Sequence, residues 1–213
     1  MNTDLQQASL RPDDSETQQK ILAAARAEFA ALGKAGGRID HIASEAGVNK
    51  AMIYYHFNSK DNLYLEAVLS VVRTAQDSFS TVLNQDQSLE EILLGIADVY
   101  EEMFVRSPEY RAMMLRELAS PDSPVLKLLG ERIAKSRLPG QLLQRLQTEI
   151  ELKTARPIDL RQTLVSFLMM NIGYYLTAPL VNRIMQVTDP VTFRIERKKA
   201  VVDLFLHGVR ARK

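Results

Sequence analysis

The chain has 213 residues, 46% of them hydrophobic and 25% charged, proportions that go with a globular protein and a real core. Its formal net charge is only +1, so no global field draws it to nucleic acid, and any such surface must be a local patch. Cysteine is absent, which excludes disulfides, thiol nucleophiles and thiolate metal sites and fits a reducing cytoplasm.

Residues 1–14 read as a disordered arm, polar and acidic, with Arg11 its sole basic residue and no apolar leader. Ser15 and Gln18 form a capping box for a first helix. Its stripe of Ile21, Leu22, Ala25, Phe29 and Leu32 ends at Gly33, and Gly36-Gly37 then breaks the chain. Ile39, Ile42, Ala43 and Ala46 follow at the spacing that puts side chains on one helical face. Gly47 supplies the left-handed residue that ends such a helix, Val48 plugs the corner, and Asn49 caps a second helix through Phe57. Two helices and a Gly-containing turn within about 20 residues make a helix-turn-helix. The second helix carries Lys50, Ala51, Met52, Tyr54, Tyr55 and His56, groups suited to phosphates and thymine methyls rather than to an aliphatic core. Ser59 caps a fourth helix, Lys60 to about Leu83, with an apolar stripe of Leu63, Ala67, Val68, Val71 and Val72.

Beyond a polar break at Asn84–Gln87, Ser88 and Glu91 form a second capping box. It opens a helix with Ile92, Leu93, Ile96, Val99, Tyr100, Met103 and Phe104. Ser107-Pro108 and Ser123-Pro124 each pair a cap with proline at the first helical position. Pro139-Gly140 forces a kink or break before the helix of Leu142, Leu143, Leu146 and Ile150, and Arg156-Pro157 ends that region. Asp159 caps a helix to about Leu176, and Asp189-Pro190 starts the last one. No segment alternates long enough to be a strand, and no uninterrupted apolar run approaches the length that spans a bilayer. The expected fold is all-α and soluble, with no membrane contact.

Residues 39–63 resemble the DNA-binding domain of the tetracycline-repressor (TetR) family, through Ile42-Ala43, Ala46-Gly47-Val48, Ile53-Tyr54-Tyr55-His56-Phe57, Ser59-Lys60 and Leu63. With its flanking helices the resemblance spans about residues 15–83. It implies an N-terminal three-helix helix-turn-helix domain, residues 15–60, and a larger helical ligand-binding and dimerisation domain, residues 61–213. It further implies a cytoplasmic homodimer, joined through its last two helices as a four-helix bundle, on a double-stranded, palindromic DNA operator. Lys50, Ala51 and Met52 would meet base edges beside the cap Asn49. Tyr54, Tyr55, His56 and Lys60 would hold phosphates. Many family members place Thr or Ser just before the helix at Ile39; here Gly37-Arg38 stands there, and Arg38 is the candidate replacement by charge. A solvated surface lysine is the competing reading of Lys50.

The same resemblance implies a small-molecule effector, apolar or amphipathic, in the C-terminal domain. Tyr100, Met103, Phe104, Met113, Met114, Phe167, Met170, Tyr174 and Tyr175 are candidate walls, with Arg116 and Glu117 as a candidate internal pair. Plain core is the competing reading of the aromatic and methionine residues, a solvent-facing pair that of Arg116 and Glu117, and control by a protein partner, or by nothing, that of the domain. A helical scaffold or enzyme with a structural helix-turn-helix is a third. His41, His56 and His207 lack metal-ligand spacing, the glycines at Gly33, Gly36 and Gly37 do not form a phosphate loop, and no nucleophile elbow exists. The expectation is no enzyme, no catalytic or metal residue and no cofactor.

Overall fold

The structure, a computed structural model, describes residues 12–83, 87–136, 138–152 and 158–209. Among the described residues all regular structure is helical: α1 Pro12–Gly36, α2 Ile39–Glu45, α3 Lys50–Phe57, α4 Lys60–Leu83, α5 Leu89–Val105, α6 Pro108–Leu118, α7 Pro124–Lys135, α8 Leu138–Glu151, α9 Leu160–Ile184 and α10 Pro190–Val209. The all-α, two-part architecture read from the sequence is the one found. A three-helix head, α1–α3, stands on α4, and the remaining helices build a larger body.

Local chemistry sets most boundaries. Asn49 accepts from Met52 N at 2.9 Å, Ser59 from Asn62 N at 3.1 Å, and Asp159 from Arg161 N and Gln162 N at 3.0 Å each. Ser88 and Glu91 complete a reciprocal capping box. Ser123 caps α7, whereas Ser107 precedes α6 without a side-chain cap bond.

Elsewhere the boundaries shift. α1 starts at Pro12, so Ser15 lies inside the helix and caps nothing. Of the arm expected over residues 1–14, residues 12–14 are helical instead, and 1–11, Arg11 included, lie outside the described residues, as do 84–86 of the polar break and Arg156-Pro157. Gly33 does interrupt α1, at φ 69 and ψ 175, but the chain resumes helical geometry to Gly36. Pro139 falls in the first turn of α8, where a missing N–H costs nothing. α9 passes the expected end at Leu176 by two turns. Pro179 sits on an exposed face and deletes one ladder bond without stopping the helix. The real stop is a Schellman turn: Gln186 takes φ 52 while Val187 N reaches Asn182 O at 2.8 Å.

Two apolar clusters fill the molecule. One runs from the head into the body through Ile21, Phe29, Ile42, Ile53, Phe57, Leu63 and Met113, each at most 1% exposed. Burial of each such large side chain stabilises the fold by roughly 1.5–3 kcal/mol. The other joins α5, α8, α9 and α10, where Phe167 and Phe205 meet at 4.9 Å between ring centroids. Arg194 and Lys198 on α10 bind Glu101 on α5, fastening the last helix across the body.

α9 is long and apolar enough to cross a bilayer by length and composition, although Ser166, Asn171 and Thr177 interrupt its apolar run, and 22% of its most apolar stretch is buried within the protomer. Val165, Met169, Leu180 and Ile184 stand out from it at 53–67% exposure, and Val191 and Ile195 from α10 at 58% and 47%.

Candidate nucleic-acid interface and ligand cavity

The turn between α2 and α3 is a full Schellman motif. Gly47 takes φ 66, its N–H reaches Ser44 O at 3.1 Å, and Val48 N reaches Ala43 O at 3.0 Å. Asn49 then starts α3, and Ile53 and Phe57, both 1% exposed, anchor one face of that helix in the head core. The opposite face is thereby fixed outward. Lys50, Ala51, Tyr54 and Tyr55 are exposed on it, Tyr55 most of the aromatics at 71%, and Met52 is half-buried beside them.

The start of α2 is held from α1. Arg38 is its N-cap residue and makes no side-chain cap bond. Glu28, 6% exposed, accepts from Arg38 N at 2.9 Å, lies 3.5 Å from Arg38 Nε, and meets His41 Nδ1 at 2.8 Å. Burial pushes the Glu28 carboxyl up. The Arg38 N–H, His41 and the Arg38 guanidinium outweigh it and hold the group below its ordinary range. Gly37 has no room for a hydroxyl-bearing side chain, since a Cβ there would lie 2.5 Å from the Phe29 ring. The backbone N–H of the N-cap residue is therefore held by a carboxylate one helix away, and no side-chain cap bond reaches the first-turn N–H groups of α2.

Other candidate contacts carry internal partners. Lys50 Nζ lies 2.9 Å from Asp40 Oδ1, an exposed pair whose hydrogen bond and charge raise the lysine's pKa. Lys60 Nζ donates to Ala35 O at 3.0 Å and so caps the end of α1. His56 is half-buried with its ring 5.1 Å from that of Tyr55, and its Nε2 is buried without a partner, which removes that nitrogen from phosphate reach.

In the body, α4–α9 line a partly open apolar cavity of about 320 Å³. Of the side chains proposed from sequence, Tyr100, Met103, Phe104 and Met114 line it. Met113 and Phe167 are fully buried in the two cores, and Met170 and Tyr175 also lie off the cavity. Tyr174 bonds Asn182 at 3.1 Å under the Arg197 guanidinium. Arg116 and Glu117 do not pair there. Arg116 donates to the carbonyls of Phe29, Ala30 and Ala31, in the turn just before the break at Gly33. Glu117 accepts from the Tyr64 hydroxyl at 2.6 Å and from Ser123. Both residues belong to α6, whose Tyr110, Met114 and Leu118 face the cavity, so the cavity wall is bonded to α1 and α4.

Sequence reasoning missed Glu28, Asp40, Gln76 and, as a cavity residue, Tyr110. Only Glu28 gave a signal, an acidic side chain on the apolar stripe of Ile21 and Ala25. The others depend on which helices meet.

Residues 21–67 match the family of bacterial regulatory proteins described as tetR family. The HTH-type transcriptional repressor NicS of Pseudomonas putida is 35% identical over 105 residues, 47% of this chain and 48% of that protein. The HTH-type transcriptional repressor SCO4008 of Streptomyces coelicolor is 48% identical over 52 residues, 24% of this chain and 27% of that one. The chain thus spans about half the length of these curated relatives, or less. Among solved structures, the fatty acid degradation regulator FadR of Bacillus halodurans superposes with a TM-score of 0.68 at 17% identity, over 90% of this chain and 99% of that one. The TetR family transcriptional regulator PfmR of Thermus thermophilus does so with 0.65 at 22%, over 88% and 97%. At such identities the structures establish the fold.

Proposed function

We infer that this chain, a member of the TetR family of bacterial regulatory proteins through its residues 21–67, is a sequence-specific DNA-binding transcriptional regulator of the cytoplasm that acts as a repressor. The observation that carries the reading is α3, anchored by Ile53 and Phe57 and presenting Lys50, Ala51, Tyr54 and Tyr55 outward. Residues 15–60 serve as the reading head and 61–213 as the sensing and dimerisation body. Lys50, Ala51 and Met52, after the cap Asn49, meet base edges in the major groove. Arg38, Tyr54, Tyr55 and Lys60 grip phosphates, with His56 packing behind Tyr55. NicS and SCO4008 are both named repressors, which supports that sign.

A two-fold operator needs two heads, and the apolar faces of α9 and α10 supply the surface that joins two copies. This pairing also accounts for an α9 apolar enough for a membrane without one. A small apolar or amphipathic ligand in the cavity binds better to a conformer with the two α3 helices wrongly spaced, and so shifts the protein off its operator.

Selection from a random duplex library at physiological salt tests the reading. An enriched inverted repeat is the expected outcome. Salt-sensitive binding without an enriched motif would reduce the heads to phosphate grips, and no binding would overturn the regulator reading.

A further inference from the structure

Resting on the sensor reading above, we propose that the effector is an electrically neutral, mostly apolar molecule bearing a hydrogen-bond acceptor, read by the hydroxyls of Tyr100 and Tyr110 and the amide of Gln76.

The cavity wall decides the charge. Among the described residues lining it there is no Asp, Glu, Lys, Arg or His; the polar side chains are Gln76 on α4, Tyr100 on α5 and Tyr110 on α6. An ionised group brought into such a wall loses its hydration and gains no counter-charge, so a carboxylate ligand is disfavoured by far more than a neutral one of the same shape.

The three polar groups decide the rest. Burial pushes the Tyr100 phenol up to about 12, and it raises Tyr110 further, with the neighbouring Tyr100 adding to the shift. Both stay protonated throughout the physiological range and act as donors. Among the described residues, none of the three side chains donates a hydrogen bond to a protein group, although Tyr110 is 2% exposed. Tyr110 is buried and Gln76 and Tyr100 are half-buried on the cavity wall, where a carbonyl, ether or hydroxyl oxygen of a ligand would give these donors an acceptor. The acceptor would then be held by α4, α5 and α6 together. α4 carries the head, and α6 is bonded to α1 through Arg116, so the polar end of the ligand sits where it can bias the head.

The test uses N-phenyl-1-naphthylamine, a neutral probe that fluoresces in apolar surroundings, displaced from the full-length protein by three matched compounds. Methyl 2-naphthoate has the acceptor, 2-naphthoate has the charge, and 2-ethylnaphthalene has neither. The ester is expected to compete at least about tenfold better than the carboxylate. Tyr100→Phe and Tyr110→Phe should each weaken the ester by about three- to tenfold and leave 2-ethylnaphthalene unchanged. Equal competition by the carboxylate, or equal loss of ester and hydrocarbon in the Phe variants, overturns the proposal while the cavity remains a ligand site. Failure of the probe to enter the wild-type protein overturns both this proposal and the sensor reading. Circular dichroism of the Phe variants establishes that they are folded.

Discussion

Glu28, on α1, fixes the entry to α2 from outside the helix-turn-helix itself. Its carboxylate holds the N–H of the N-cap residue Arg38, the Arg38 guanidinium and His41 at once. Glu28→Gln keeps an acceptor for the N–H but loses the charge that faces the Arg38 guanidinium, and should lower stability at pH 7 by about 1–2 kcal/mol. The pH dependence has a definite sign. The folded group titrates below its ordinary value of 4.5, so its contribution is complete above that value and is lost as pH falls through the folded pKa. Urea unfolding at pH 7 and pH 4 should therefore show the gap between wild type and variant closing on acidification; a constant gap would assign Glu28 a role in packing alone. Asp40 holds Lys50 at 2.9 Å and adds a negative charge beside the groups proposed to meet DNA. Asp40→Asn should raise affinity for duplex DNA about two- to fivefold at low salt, with the gain fading as ionic strength rises. Unchanged binding at low salt would remove Lys50 from the interface.

At the scale of the helix, local chemistry was legible and long-range chemistry was not. The caps Asn49, Ser59, Ser88, Ser123 and Asp159 act on backbone two or three residues away, so their spacing in sequence carries their function. The end of α9 was not legible, because Gln186 takes the left-handed position where glycine is the readable signal. Nor was the role of α6. Arg116 reaches carbonyls of Phe29–Ala31, more than eighty positions away in the chain, in the turn before the break at Gly33. Its positive charge also suits the end of a helix. This is a bonded route from the cavity wall to the head. Arg116→Ala should leave probe binding in the cavity within about twofold, while reducing by about five- to tenfold the effect of a bound effector on DNA affinity. Fluorescence displacement and gel-shift titrations on the same preparation separate the two quantities. Intact coupling in the variant would move the route to α4 alone.

Across the whole molecule, the helical faces could be read but their partners could not. Tyr100, Met103, Phe104 and Met114 line the cavity, whereas Met113, one residue from Met114, is sealed in the core, and Phe167 and Met170 belong to the second cluster. Periodicity shows that a residue is apolar and on a face; only the packing of α4–α9 decides whether that face meets a neighbour or a void. The exposed face of α9 poses the same question between molecules. Met169, Leu180 and Ile184 lie on one stripe at more than half exposure, and single scattered apolar residues would need no explanation, but a continuous stripe does. If two copies pair there, the two-fold axis presents every substitution twice. Leu180→Glu places two carboxylates in an apolar interface with no cation supplied by the change. It should weaken the dimer by at least about a hundredfold while shifting the protomer's melting temperature little, because Leu180 is 61% exposed in the single chain. Light scattering on eluted protein should then read the mass of one chain. DNA binding should fall to that of separate heads, each gripping half of the inverted repeat and losing the advantage of linkage. A variant that stays dimeric and keeps full operator affinity would exclude this face of α9 as the joint.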